Sequence, residues 1–245
     1  MRRVLIVGAT SPLARYMAHE FAQQGDTLFL AGRDVEELER VASDVRIRFG
    51  APVYTGRFDA LAIEEHEAFL QGVVQAMGGL DGVVWVAGTM DGLEEALHHP
   101  LALKRLIDVN FTGAASLLTL AARVMEEQGR GFIAGVSSVA GDRGRAQNYP
   151  YGSAKGGFSL FLQGLRNRLS KKGVQVTTIK PGFVDTRMTW GRDKLPFLAS
   201  PQRVARESVQ AILRGKDVAY VPAVWWLVML IIRAIPERVF KKMNI

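Results

Sequence analysis

No cysteine occurs in the 245 residues. That excludes disulfides, thiolate catalysis and cysteine-held metals, and a reducing compartment stays permitted. No spanning segment is evident either. The charge-free stretch Val218–Ile232 has fifteen residues, short of the ~20 a membrane-crossing helix needs. The apolar start VLIVGA after Met1-Arg2-Arg3 is too short for a signal core and ends in glycine, so it reads as a strand and the protein as cytoplasmic. Linkers, low-complexity tracts and internal repeats are missing as well, which argues against several small domains. What remains is ordinary for a globular chain: 48% hydrophobic and 22% charged residues, enough for one sizeable core.

The formal charge of +7 is unevenly placed. From residue 201 to 245 there are eight Lys/Arg against three acids. A basic groove spread over the body, as nucleic acid would need, is not indicated. An anionic partner near the tail and a merely solvated basic end both remain open.

Taken in order, Arg3–Val7 is an apolar run of the kind found in parallel strands buried on both faces. Gly8-Ala9-Thr10-Ser11-Pro12 follows, then a helical pattern at Leu13, Tyr16, Met17 and Phe21. Ser11 and Pro12 read as N-cap and first helical residue. A strand, a tight turn and a helix start present free N–H groups and a helix dipole to an anion, the makings of a phosphate site. A second strand, Thr27–Ala31, ends at Gly32-Arg33-Asp34. In a dinucleotide-binding sheet an acid at this point would hold the ribose 2′-hydroxyl, whereas an arginine suits a 2′-phosphate, so Arg33 favours NADP and Asp34 reads as the cap of the next helix, to Phe49.

Further strands are expected at 51–56, 81–88, 131–136, 174–179 and 217–222, with helices at 61–77, 101–128, 151–171 and from Pro201. Asn110, a polar residue within the apolar 101–128 stretch, marks a kink or a held water. Strict alternation of strand and helix implies an α/β fold: a single doubly wound, Rossmann-type parallel sheet of about seven strands with helices on both faces, and ligands at the strands' carboxyl ends. The turn at 8–13, Arg33, Asp59, Ala87-Gly88, Ser137-Ser138 and 181–186 all fall at such ends.

The segment Ser137–Lys155 draws these together. In a helix beginning near Tyr149, Tyr151 and Lys155 share one face a turn apart. An ammonium beside a phenol favours the phenolate, so the expectation is a lowered tyrosine pKa and a phenol able to exchange a proton with a carbonyl oxygen. Ser138, off a strand end, could donate to the same oxygen.

These residues, in this order and spacing, resemble the short-chain dehydrogenase/reductase family over the chain up to about Pro222. The resemblance rests on Gly8, Asp59, Ala87-Gly88, Asn110, Ser138, Tyr151-Gly-Ser-Ala-Lys155 and Pro181-Gly182-Phe183-Val184-Asp185-Thr186. It implies catalysis by Asn110, Ser138, Tyr151 and Lys155, with Tyr151 as general acid in reduction and Asn110 keeping a water in the proton relay. It implies a cofactor held by Gly8, Ser11, Leu13, Arg33, Asp59, Ala87, Gly88, Tyr151, Lys155, Pro181, Val184 and Thr186, and no metal. Homodimers or homotetramers are usual in the family. Two departures stand out. Of the TGxxxGxG turn only Gly8 is kept, with Pro12 removing a donor and Ala14 adding a methyl. Trp85-Val86 stand where two asparagines are usual, an opening similar to that of the subgroup resembling polyprenyl-phosphoryl keto-sugar reductases.

The expected activity is NADPH-dependent reduction of a ketone to a secondary alcohol, on a small-molecule or lipid-like substrate, by residues 1–222. The stretch 187–200 occupies the substrate-lid position and mixes Met188, Trp190 and Phe197 with Arg187, Arg192 and Lys194. Residues 223–245 form an apolar and basic helical extension, read either as a peripheral membrane-surface contact or as a subunit interface. The rival reading is a non-catalytic dinucleotide-binding or scaffold protein.

Overall fold

The protein was analysed as a computed structural model that describes residues 1–191 and 195–243. Its elements run β1 (Arg3–Val7), α1 (Pro12–Gln23), β2 (Thr27–Gly32), α2 (Val35–Phe49), β3 (Val53–Arg57), α3 (His66–Met77), β4 (Gly82–Trp85), α4 (Leu93–Ala96), α5 (Pro100–Ile107), α6 (Gly113–Gln128), β5 (Gly131–Val136), α7 (Tyr149–Leu169), β6 (Val174–Pro181), α8 (Pro201–Leu213), β7 (Val218–Val221), α9 (Val224–Ala234) and α10 (Glu237–Phe240). The strands form one parallel sheet in the order β3-β2-β1-β4-β5-β6-β7. The order reverses between β1 and β4, and ligands of such sheets bind in the crevice outside that point. Val7 is in register with both Ala31 and Trp85, so the strands end together and their loops share one edge.

Alternate side chains of each strand enter opposite layers. Val4 and Ile6 join one core with α1, α2 and α8, while Leu5 and Val7 join the other with α3, α6 and α7. Both faces of the central strands are sealed, which is why they read as unbroken apolar runs.

Local signals placed most helix starts. Ser11 accepts the Ala14 N–H at 3.3 Å and Asp34 accepts that of Glu37 at 3.0 Å, caps of about 1 kcal/mol each. Elsewhere the boundaries move. The stretch 101–128 begins at Pro100 and is broken by a π-helical turn, Asp108–Thr112, with Asn110 inside it. The helix at 61–77 begins at His66 after a 3₁₀ turn. The fourth strand stops at Trp85, because Val86 and Ala87 both turn back to bond the Val7 carbonyl. The third strand is shifted to 53–57, α7 spans 149–169, the last strand is 218–221, and β6 continues through Pro181.

The tail packs against the body. Trp225 and Met229 of α9 are buried with Val139, beside Phe183 and Tyr220. No helix among the described residues is long and apolar enough to cross a membrane.

Candidate functional site

The turn after β1 is built on Gly8, whose φ of +83° suits glycine and whose absent side chain would come within 2.6 Å of the Ala87 nitrogen. The Gly8 and Ala9 N–H groups both bond the Ala31 carbonyl, and that of Ser11 bonds Gly8. Among the described residues the N–H groups of Thr10 and Leu13 have no such acceptor. They stand at the start of α1, where N–H groups and helix dipole favour an anion. Pro12 therefore costs one donor but leaves two. Ala14 is fully buried, so its methyl is absorbed in the strand–helix packing.

Around this turn, Arg33 is exposed at the end of β2 and has no carboxylate partner among the described residues, while Asp34 is committed to its cap. Asp59 follows β3 and accepts the Leu61 N–H through one oxygen. Its backbone carbonyl meets Nε2 of the fully buried His66 at 3.0 Å, and Nδ1 of that ring meets Ser116 at 3.0 Å. Burial lowers the His66 pKa, consistent with a neutral ring that donates to Asp59 and accepts from Ser116. His66 thus fixes the Asp59 loop, a role with no sequence signal beyond a histidine at a helix start.

The β4 loop is strapped to Asn110. Its Nδ2 donates to the Thr89 carbonyl at 2.8 Å and to that of Leu106 at 2.9 Å, and its Oδ1 accepts the Thr89 N–H at 3.1 Å. Gly88 runs between Asn110 and Lys155: a Cβ there would lie 2.7 Å from Asn110 Oδ1 and 2.9 Å from Lys155 Nζ. Trp85 restores some of the polar support lost with the asparagines, its indole N–H donating to the Ala87 carbonyl at 2.8 Å.

Ser138 leaves β5 in extended conformation, and its Oγ accepts the Ala140 N–H at 3.1 Å. The same hydroxyl lies near enough to the Tyr151 phenol to favour its ionised form. Lys155 Nζ donates to the Val136 carbonyl at 3.1 Å and lies 5.8 Å from the centre of the Tyr151 ring. Ser137, the neighbour of Ser138, ties the assembly down: its Oγ bonds the Lys155 carbonyl at 2.8 Å and Ser159 Oγ at 2.7 Å. The serine pair was visible in the sequence; the anchoring role of its first member was not.

The electrostatics correct one expectation. Burial pushes the Tyr151 phenol up to about 12, with Ser138 pulling it back in part, and burial pulls Lys155 down to about 8. No lowering of the phenol by Lys155 is resolved, because both groups lie deep and the desolvation of each dominates.

Past β6, Val184 bridges to Ala199, and Thr186 opens a short 3₁₀ turn, Arg187–Thr189, whose Thr189 Oγ1 donates to the Val184 carbonyl at 2.9 Å. Pro181, Val184 and Thr186 thereby sit at the same sheet edge as the turn after β1. In the lid stretch Met188, Trp190 and Phe197 are exposed. Arg192 and Lys194 lie outside the described residues.

A single parallel sheet with an anion-ready turn at its reversal point, and a hydroxyl, a phenol and an ammonium off β5 and α7, defines the class of nucleotide-dependent oxidoreductases. The family profile described as short chain dehydrogenase matches residues 2–195. An oxidoreductase of Mycobacterium tuberculosis is 32% identical over 240 residues, covering 98% of this chain and 96% of its own. One of Streptomyces coelicolor is 34% identical over 243 residues, covering 99% and 96%. The chain belongs to the short-chain dehydrogenase family. Solved structures share the fold. A short-chain dehydrogenase/reductase of Mycobacterium ulcerans superposes with a TM-score of 0.82 at 20% identity, covering 99% of this chain and 98% of that one. An actinorhodin polyketide ketoreductase variant crystallised with NADPH gives 0.81 at 23% identity, covering 90% and 95%.

Proposed function

We propose that this oxidoreductase reduces a ketone to a secondary alcohol at the expense of NADPH, with Tyr151 as general acid. The observation that carries the reading is the convergence of Ser138, Tyr151 and Lys155 at the carboxyl end of β5, beside the β1/β4 crevice. The cofactor would supply the hydride. It fits the residues present: Thr10 and Leu13, whose N–H groups have no acceptor among the described residues, would hold its pyrophosphate, Asp59 would meet the adenine, Arg33 the 2′-phosphate, and Val184 and Thr186 the carboxamide.

The chain's own part is position and a proton. Ser138 donates a hydrogen bond to the substrate carbonyl, and the Tyr151 hydroxyl gives its proton to the same oxygen. A phenol near 12 is protonated at neutral pH, which is the form reduction needs. Lys155 carries its charge below pH about 8, holds the nicotinamide ribose, and feeds positive potential to the phenol once the proton has left. Asn110 keeps the Thr89 strap in place and shelters the relay water.

Titration with NADPH and NADH by fluorescence, followed by NADPH consumption against ketones of graded chain length, tests this reading. Saturable NADPH binding and turnover that rises with chain length are expected. No binding at millimolar cofactor would leave the scaffold reading in its place. A lipid or lipid-linked substrate belongs to the same proposal, supported by the apolar lid residues, as does assembly into a homodimer or homotetramer. So does contact of the tail with a membrane surface: Trp226, Leu227, Leu230 and Ile231 of α9 face outward beside Arg233, Arg238, Lys241 and Lys242. Replacing Trp226 and Leu230 by Ser should abolish sedimentation with anionic liposomes, and unchanged partitioning would dismiss that contact.

A further inference from the structure

The loop joining Ser138 to Tyr151 carries two arginines, and the fold treats them differently. Arg143 is fully engaged. Its Nη1 donates to the carbonyls of Ile232, Arg233 and Ile235 at 3.3, 3.0 and 2.8 Å, capping the end of α9. Its Nη2 pairs with Glu237 at 2.8 Å, and its Cζ lies 4.0 Å from the centre of the Phe240 ring.

Arg145 has no such complement. Its Nε is buried without an acceptor among the described residues, and its Nη2 reaches only the Met229 sulfur, at 3.8 Å. Burial lowers its pKa, opposed only by the field of Asp142. Both neighbouring acids are engaged by other groups. Asp142 accepts Lys180 Nζ on one oxygen and Tyr220 OH, at 2.6 Å, on the other. Glu237 pairs with Arg143 through one oxygen, and no bond joins it to Arg145 among the described residues. A half-buried guanidinium left without a counter-ion is costly to the fold, and such sites are functional candidates.

Arg145 lines a cavity of about 300 Å³ between this loop and the tail, with Tyr149, Glu237, Phe240, Lys241 and Met243 among its walls; the Glu237 carboxylate is paired with Arg143, which leaves Arg145 and Lys241 as the unpaired charges of the lining among the described residues. The lining supplies a second cation and an apolar flank, and the volume is that of a small ligand site. The cavity also connects to the catalytic loop. Met229, which Arg145 touches, belongs to the same buried cluster as Val139, the residue after Ser138. We propose that this cavity binds an anionic group, a carboxylate or a phosphate monoester, through Arg145 with Lys241 in support, and that in the ketone reduction on which this inference rests the group belongs to the substrate.

Two experiments test it with the full chain. The first compares a medium-chain keto acid with its methyl ester under NADPH. Wild type should prefer the acid, and Arg145→Gln should lower the acid-to-ester ratio of kcat/KM at least tenfold, mainly through KM. Arg145→Lys should restore much of that ratio, which a merely structural role would not. The NADPH Kd of Arg145→Gln should stay within twofold. A wild-type ratio at or below one, or a tenfold loss of NADPH binding in Arg145→Gln, would overturn the assignment.

The second measures thermal stabilisation by inorganic phosphate and by dodecyl phosphate. A concentration-dependent rise in Tm that Arg145→Gln loses is expected. Response to the free ion identifies a simple anion, and response to the amphiphile alone identifies a lipid headgroup. No shift from either in wild type would refute the site. If no ketone is turned over while Arg145-dependent stabilisation persists, the reductase reading fails and the anion site stands.

Discussion

The two edges of the sheet treat charge in opposite ways. At the amino edge the two cations that begin the sheet, Arg2 and Arg3, each have an acid. Arg2 bonds Asp26 through its backbone N–H and its guanidinium, at 2.8–3.1 Å. Arg3 does the same with Asp81, at 2.7–3.0 Å, and holds that carboxyl below its ordinary range. At the carboxyl edge Lys155 is buried with a single carbonyl acceptor, while Arg33 and Arg145 have no acid among the described residues. A cavity of about 540 Å³ opens at the amino edge, lined by Arg2, Arg3, Asp81 and Arg130; Arg3 and Asp81 satisfy each other there, and Arg130 is exposed to solvent. Unmet buried charge, rather than volume, sets the edge with the candidate site apart.

Breaking the comparison at its strongest point means removing the phenol. Tyr151→Phe should lower kcat by roughly a thousandfold, within the range of general acid catalysis, with NADPH affinity within twofold; retained turnover would take the proton from another group. Next comes the amino edge. Asp26→Ala strips a buried carboxylate from Arg2 and should cost about 2–3 kcal/mol in urea denaturation, with unchanged kcat per folded molecule. A loss of activity instead would erase the division between the edges.

Arg33→Ala should weaken NADPH by about tenfold, a charge-assisted contact, and leave NADH unaffected; an unchanged ratio of the two affinities would remove Arg33 from the cofactor. The smallest effect sharpens the contrast most. Burial lowers Lys155 from its ordinary 10.5 to about 8, so the unfolded chain binds the extra proton between those values. Its penalty on stability is full below pH about 8 and fades as the pH rises towards 10.5. Lys155→Met should therefore melt a few degrees above wild type at pH 7, with the gap closing above pH 8, while losing turnover. A variant less stable at both pH values would show that the ammonium supports the fold.

What the sequence disclosed was local or periodic. The caps at Ser11 and Asp34, Pro at the starts of α1 and α8, and the apolar runs of the sheet each act within a few residues, so the α/β order, and with it the edge where the candidate residues gather, could be read directly. The π turn could not, since one extra residue per turn leaves the apolar pattern of 101–128 almost intact. Trp85, His66 and Ser137 gain their roles from partners 2 to 50 positions away that only the fold brings near. The Tyr151 pKa was misjudged for the same reason: spacing along a helix shows that an ammonium is close, but not how much water both groups have lost.

The grip of Arg143 on the last turn of α9 makes the end of the chain a working neighbour of the loop that carries Ser138. Whatever shifts the tail, a bound surface, a second subunit or a few lost residues, will move that loop as well. Changes near residue 237 can then reach the loop between β5 and α7 while the sheet and the turn after β1 stay as they are, a mechanical link that leaves the core untouched.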